Sequence, residues 1–182
     1  MKAKTNEYLK LRDKADALTN KLGKMHRSHM ECKMGCDLCC MDYSIFPVEF
    51  YSIAKQLEKQ EITSELPSVN NNNTCVFLKD HKCTIYSERP IICRTHGLPL
   101  LYVNEGEEWE LSACELNFTD FDFMDFTNEN TFPQDIFNSE LFMLNRKFVH
   151  EFEEKKYNEF DLTPIRNLLE YVSKTKNSCN NE

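Results

Sequence analysis

Apolar residues recur at helical spacing in four stretches of this 182-residue chain. Over 5–30, Leu11, Ala15, Leu18, Leu22, Met25 and His29 alternate by four and three and form one stripe, which predicts a long amphipathic helix, weakened slightly at Gly23. Pro47 opens a second helix over 47–60, with Phe50, Ile53, Ala54 and Leu57 on one face. Over 134–158, Phe137, Leu141, Leu144, Phe148 and Phe152 stay in register. Thr163-Pro164 reads as the cap of a last helix with Ile165, Leu168, Leu169 and Val172 inward, and the tail from Lys174 is expected to fray.

Between these helices the pattern shortens. Cys75-Val76-Phe77-Leu78 and Cys83-Thr84-Ile85-Tyr86 read as two strands about a turn at Lys79-Asp80-His81-Lys82, after a polar loop over 61–74. Ser87-Glu88-Arg89-Pro90 reads as the cap and first turn of a short helix carrying Cys93 and Arg94. Leu98–Val103 and Trp109–Cys114 predict a second hairpin around Asn104-Glu105-Gly106. Phe118, Phe121, Phe123 and Phe126 alternate with acids and read as a lid over the core, with a binding groove as the alternative. The expected fold is helix-rich α+β: a small β-hairpin and short-helix metal-binding core packed by long helices. The expected organisation is a single domain over 1–182, with a cysteine-cluster core at 30–118 and helical extensions at 1–29 and 134–175.

Charge and composition narrow the picture. The net charge of −8 argues against a general nucleic-acid binder. Residues 95–145 hold 11 acids and no Lys or Arg, a solvated face or a surface for a protein partner. The longest apolar runs are too short for a bilayer, and no signal-peptide stretch opens the sequence, so the expected location is cytoplasmic and reducing. There, clustered cysteines bind metal more readily than they pair as disulfides.

Eight of the nine cysteines are Cys32, Cys36, Cys39, Cys40, Cys75, Cys83, Cys93 and Cys114, and these are the candidate metal ligands; Cys179, in the polar tail, is not. Thiolates are soft donors that suit zinc and iron–sulfur centres. On a helix, Cys32, Cys36, Cys39 and Cys40 would share an arc of roughly 100°. Neighbours such as Cys39 and Cys40 point apart on any regular backbone, which calls for two centres or one centre with an extra thiol. Cys75, Cys83, Cys93 and Cys114 form the second group by position. His96, three residues after Cys93, is the best non-cysteine candidate; His26 and His29 fit packing better, His81 a turn and His150 a helix surface. Arg89 and Arg94 flank Cys93 and could offset thiolate charge, unless they form ordinary surface ion pairs.

The knot Cys32-x3-Cys36-x2-Cys39-Cys40, followed by Cys75-Val-Phe-Leu and Cys83-Thr-Ile-Tyr-Ser-Glu-Arg-Pro-Ile-Ile-Cys93-Arg94, resembles the CxxCxxCC zinc- or iron-chelating domain family, also called the YkgJ-like cysteine-cluster family. The resemblance spans about residues 30–118, and its first spacing is three residues where the family has two. It implies a zinc or iron ion as cofactor, or a 4Fe-4S cluster, since flagellin lysine methylases carry a related cysteine pattern and look like iron–sulfur proteins. Three functions follow: a metal-binding cysteine-cluster protein, an iron–sulfur-dependent protein-modifying enzyme, or a zinc-stabilised protein-interaction module. No catalytic residue is singled out. Cys93 and His96 could pair for nucleophilic chemistry, but their place inside the metal motif favours ligation. The absence of G-x-G-x-x-G argues against a complete methyltransferase built on that loop.

Overall fold

A computed structural model describes residues 2–59, 73–152 and 156–179. In chain order it contains α1 (Lys2–Met25), β1 (Ser44–Ile45), α2 (Pro47–Lys59), β2 (Leu78–Lys79), β3 (Lys82–Cys83), α3 (Ile91–Thr95), β4 (Leu100–Val103), β5 (Trp109–Ser112), β6 (Phe132–Pro133), α4 (Gln134–His150), β7 (Thr163–Pro164) and α5 (Asn167–Cys179). The fold is helix-rich α+β, as the pattern predicts. β4 pairs antiparallel with β5 and parallel with β6, β2 pairs with β3, and β1 pairs with β7. Among the described residues no helix is long and apolar enough to cross a membrane.

The apolar stripes meet in two clusters. Tyr8, Leu11, Ala15 and Leu22 of α1 pack with Phe137, Leu141, Leu144 and Phe148 of α4, with Phe132 of β6 and with Ile91 of α3. The Phe132 and Phe137 rings lie 4.5 Å apart, and burying each contributes about 2–3 kcal/mol. Phe50, Ile53, Ala54 and Leu57 of α2 pack instead with Val76, Phe77, Ile85, Ile165, Leu168 and Val172, and Cys75 and Cys83 lean on this second cluster. Pro47 is pre-set for a helix start. Its successor Val48 gives its N–H to Asn145 of α4 (3.2 Å), which is fully buried and donates in turn to the Glu159 carbonyl (3.1 Å).

Several boundaries differ from the pattern, each through a tertiary contact. α1 stops at Met25, and Arg27–His29 tighten into a 3-10 turn, because the His26 ring is buried against Phe118, Phe121 and Phe126. Met25 is consequently exposed rather than part of the stripe. α4 ends at His150, and Phe152 leaves the helix to pack against Tyr51 and Tyr157. Thr163-Pro164 is not a cap but a strand: Thr163 lies opposite Ile45, and Ile165 donates to the Tyr43 carbonyl (2.9 Å). α5 runs on past Lys174 to Cys179. The first hairpin is shorter than expected, because Cys75 to Leu78 forms a turn closed by the Leu78 N–H to the Cys75 carbonyl (3.0 Å). Tyr86–Glu88 is a 3-10 turn, Pro90 occupies the N-cap of α3, and no side chain caps that helix. The expected loop at 61–74 lies, apart from Asn73 and Thr74, outside the described residues.

A buried polar network fixes α3 to the helical frame. Glu49 of α2 accepts from the Tyr8 hydroxyl and from the Ile91 N–H, each at 3.1 Å. Arg94 reaches both carboxylate oxygens of Asp16 (2.5 and 2.6 Å) and the carbonyls of Ser87 (2.6 Å) and Arg89 (2.8 Å). Arg12 binds Glu88 at 2.7 Å. Cys93 is held between these anchors.

Burial pushes the Glu49 carboxyl up to about 7, against the opposing hydrogen bonds from Ile91, Tyr8 and Phe46. The folded chain therefore keeps a proton that the unfolded chain loses, so this contribution is present below the unfolded value of 4.5 and is lost as pH rises through about 7. Native stability in urea should fall by about 3 kcal/mol across that window through this group, and Glu49→Gln should flatten the fall. Arg94→Lys, which cannot make the forked contacts, should cost about 2–3 kcal/mol in the same assay.

Candidate metal centre

The knot is not helical. Gly35 takes φ 94°, a left-handed conformation that suits glycine. Successive turns close through Cys36 N–H to the Lys33 carbonyl (3.0 Å) and Cys40 N–H to the Asp37 carbonyl (2.8 Å). The shared helical arc expected for these four thiols therefore does not form. Beyond the knot the chain pairs with a distant segment. Cys75 donates to the Cys40 carbonyl (3.0 Å), Asp42 donates to the Asn73 carbonyl (2.8 Å), and Met41 bridges Thr74. Asp42 is itself gripped by Arg166. Cys40 is thereby tied to Cys75.

The β2–β3 hairpin brings Cys83 to the same place. Asp80 and His81 take φ 49° and 59°, which closes the tight turn, and Leu78 sits opposite Cys83. His81 also meets Asp37 of the knot at 2.8 Å, a link the sequence reading missed. Burial raises the Cys93 thiol strongly, and Cys75, Cys83, Glu49 and Cys40 add to the rise in that order. Burial, then Cys39, Cys83, Cys75 and Asp37, pushes Cys40 up to about 12. Cys75 and Cys83 are raised chiefly by burial, and Cys75 also feels Cys83. Cys40, Cys75, Cys83 and Cys93 thus interact with one another, and Cys40 also with its neighbour Cys39.

Among the other four thiols, burial raises Cys39, its backbone opposes this, and the charges of Cys32, Cys36 and Cys114 add to the rise. Cys114 arrives at the end of the β4–β5 hairpin and is held by Asn117, whose N–H bonds the Cys114 carbonyl at 2.9 Å. The buried Asn117 side chain donates to the Cys32 sulfur (3.3 Å) and to the Gly97 carbonyl (2.7 Å), and accepts from the Glu31 N–H (2.8 Å). Asn117 carries no motif signal, so only the structure reveals it. Main-chain pairing thus ties Cys40 to Cys75, and Asn117 links Cys114 to Cys32, two connections that cross the sequence's own grouping. All eight cysteines are free; Cys39 is exposed and the other seven are half-buried. Among the described residues, no three His, Cys, Asp or Glu side chains already converge tightly enough to hold an ion.

The charged and aromatic neighbours divide by role. Arg89 stacks over the Tyr86 ring at 3.7 Å, and its charge lowers Cys83. Arg94 is spent on Asp16 and two carbonyls, a buried structural pair rather than a counterion for thiolates. Burial raises the Tyr43 hydroxyl, and the charges of Cys93, Cys39, Cys40 and Cys75 add to the rise. The His96 ring packs on Tyr43 at 5.2 Å; burial lowers its pKa, and its Nε2 has no hydrogen-bond partner among the described residues. His26 is buried in the phenylalanine lid and meets the Asn130 carbonyl at 2.6 Å. His29 meets Asp120 at 3.0 Å, and His150 is exposed on α4.

Residues 31–115 match the model of the CxxCxxCC family, described as "Putative zinc- or iron-chelating domain". This segment is similar to that domain. The match begins one residue before Cys32 and ends one residue after Cys114, so it encloses all eight of these thiols and leaves out α1, α4 and α5. No curated protein and no solved structure matches the chain.

At Gly97, φ is +88° and an added Cβ would lie 2.6 Å from the Cys32 sulfur. Gly97→Ala should therefore lower stability by about 1–2 kcal/mol from backbone strain alone and change the rate at which Cys32 reacts with a thiol reagent. Gly23→Ala, whose Cβ meets nothing within 4 Å, should instead stabilise α1 by about 0.5–1 kcal/mol in thermal unfolding.

Proposed function

We propose that this protein holds zinc or iron through the thiolates of Cys32, Cys36, Cys39, Cys40, Cys75, Cys83, Cys93 and Cys114, and that the metal orders the thiol-bearing loops on the helical frame. The observation that carries this reading is that main-chain pairing joins Cys40 to Cys75 and to the hairpin of Cys83, while Asn117 links Cys32 to Cys114, so free thiols are drawn together from segments far apart in sequence. An all-sulfur donor set suits a soft or borderline cation and disfavours calcium or magnesium. The raised thiols hold their protons at neutral pH, so a cation that takes them as thiolates displaces those protons, and apparent affinity rises with pH. Arg89 offsets part of the resulting negative charge. Free thiols at this density fit a reducing compartment such as the cytoplasm.

Metal analysis and a visible spectrum on anaerobically purified protein test the reading. Stoichiometric zinc in a colourless sample assigns closed thiolate sites, whereas iron with acid-labile sulfide and a brown chromophore assigns an iron–sulfur centre. Neither metal, with every thiol freely reactive in folded protein, overturns it. The two apolar clusters are built mainly from helices. Chelation should therefore leave most helical circular dichroism intact while residues 30–43 and 73–84 become sensitive to limited proteolysis.

A further inference from the structure

We infer that the eight thiols form two separate four-thiolate metal centres, one from Cys32, Cys36, Cys39 and Cys114 and the other from Cys40, Cys75, Cys83 and Cys93. This rests on the reading that the thiols bind metal, and it fixes which thiols share an ion. The dividing line is the Cys39–Cys40 peptide. Adjacent side chains diverge, so one tetrahedral ion does not readily take both sulfurs. The turn closed by the Cys40 N–H to the Asp37 carbonyl (2.8 Å) and the Met41 N–H to the Cys39 carbonyl (3.0 Å) lies between the two groups.

Each side of that line is independently assembled. Cys40 is bound to Cys75 through the main chain, and Leu78 links Cys75 to the strand bearing Cys83, from which the chain runs ten residues to Cys93 on the anchored helix α3. On the other side Asn117 binds the Cys32 sulfur with its amide and the Cys114 carbonyl with its backbone, while Cys36 and Cys39 sit in the successive turns that follow Cys32. The surroundings differ as well. Cys75 and Cys83 lean on the α2–α5 apolar cluster, and the charge of Arg89 acts on Cys83. The Cys39 set includes the exposed sulfur. Zinc in the Cys39 centre is therefore the more accessible to a competing chelator.

The test is an anaerobic zinc titration of the metal-free full chain with a chromophoric competitor, repeated with cobalt(II), whose absorption reports tetrahedral thiolate coordination. The wild type should take up two equivalents and shield all eight clustered thiols from a thiol reagent. Cys114→Ser and the double variant Cys32→Ser/Cys114→Ser should each lose one four-thiolate centre and retain the other. Cys83→Ser should lose the complementary one, and Cys83→Ser/Cys114→Ser should lose both. Release to the chelator should be biphasic in the wild type, with the fast phase missing from Cys114→Ser. If Cys83→Ser fails to fold, because Cys83 touches the apolar cluster, Cys40→Ser takes its place. One equivalent in the wild type, or loss of both centres in Cys32→Ser/Cys114→Ser, overturns the division while leaving metal binding by the thiols standing. No uptake of either ion, together with no metal in the purified protein, overturns both the division and the reading beneath it.

Discussion

Cys75 donates its N–H to the Cys40 carbonyl, and Asp42 donates to Asn73, so two segments separated by more than thirty residues lie side by side. That pairing governs how the thiols are distributed. It draws Cys40 out of the knot toward Cys75, and the β2–β3 hairpin carries Cys83 along with it. Cys39, on the far side of a single peptide bond, is left with Cys32 and Cys36. Cys114, delivered by the β4–β5 hairpin, is linked to Cys32 through Asn117.

The helices supply what these loops lack. α1, α2 and α4 pack on one another and bury Tyr8, Phe132, Phe137 and Phe148. Through Glu49, Asp16 and Arg12 they hold the segment from Ser87 to Thr95 by hydrogen bonds and ion pairs. Glu49 and Arg94 are nearly fully buried, a costly placement that is tolerated because each polar atom finds a specific partner. Cys93 takes its position from that network. The thiol-bearing loops thus borrow their rigidity from a conventional helical core.

Much of the frame was legible in the sequence because an amphipathic helix writes its buried face into its own spacing. Leu11, Ala15 and Leu22 in α1, Phe137 to Phe148 in α4 and Phe50 to Leu57 in α2 all face inward as their periodicity predicts. The ends were not legible, because each is set by a partner elsewhere: His26 by the phenylalanine lid, Phe152 by Tyr51, Thr163 by Ile45. The contrast between Arg89 and Arg94 has the same origin. Both flank Cys93, and only the position of Asp16 on a remote helix turns one of them into a structural ion pair.

The sequence by itself determined the chemistry available, since thiol softness belongs to cysteine wherever it lies, and it determined the helical faces, since their period is local. Tertiary structure alone decided which thiols are neighbours. Cys40 is joined to Cys75, and Cys114 to Cys32 by way of Asn117, through backbone pairing and hairpin return between residues remote along the chain, and no local pattern encodes the energy of such contacts.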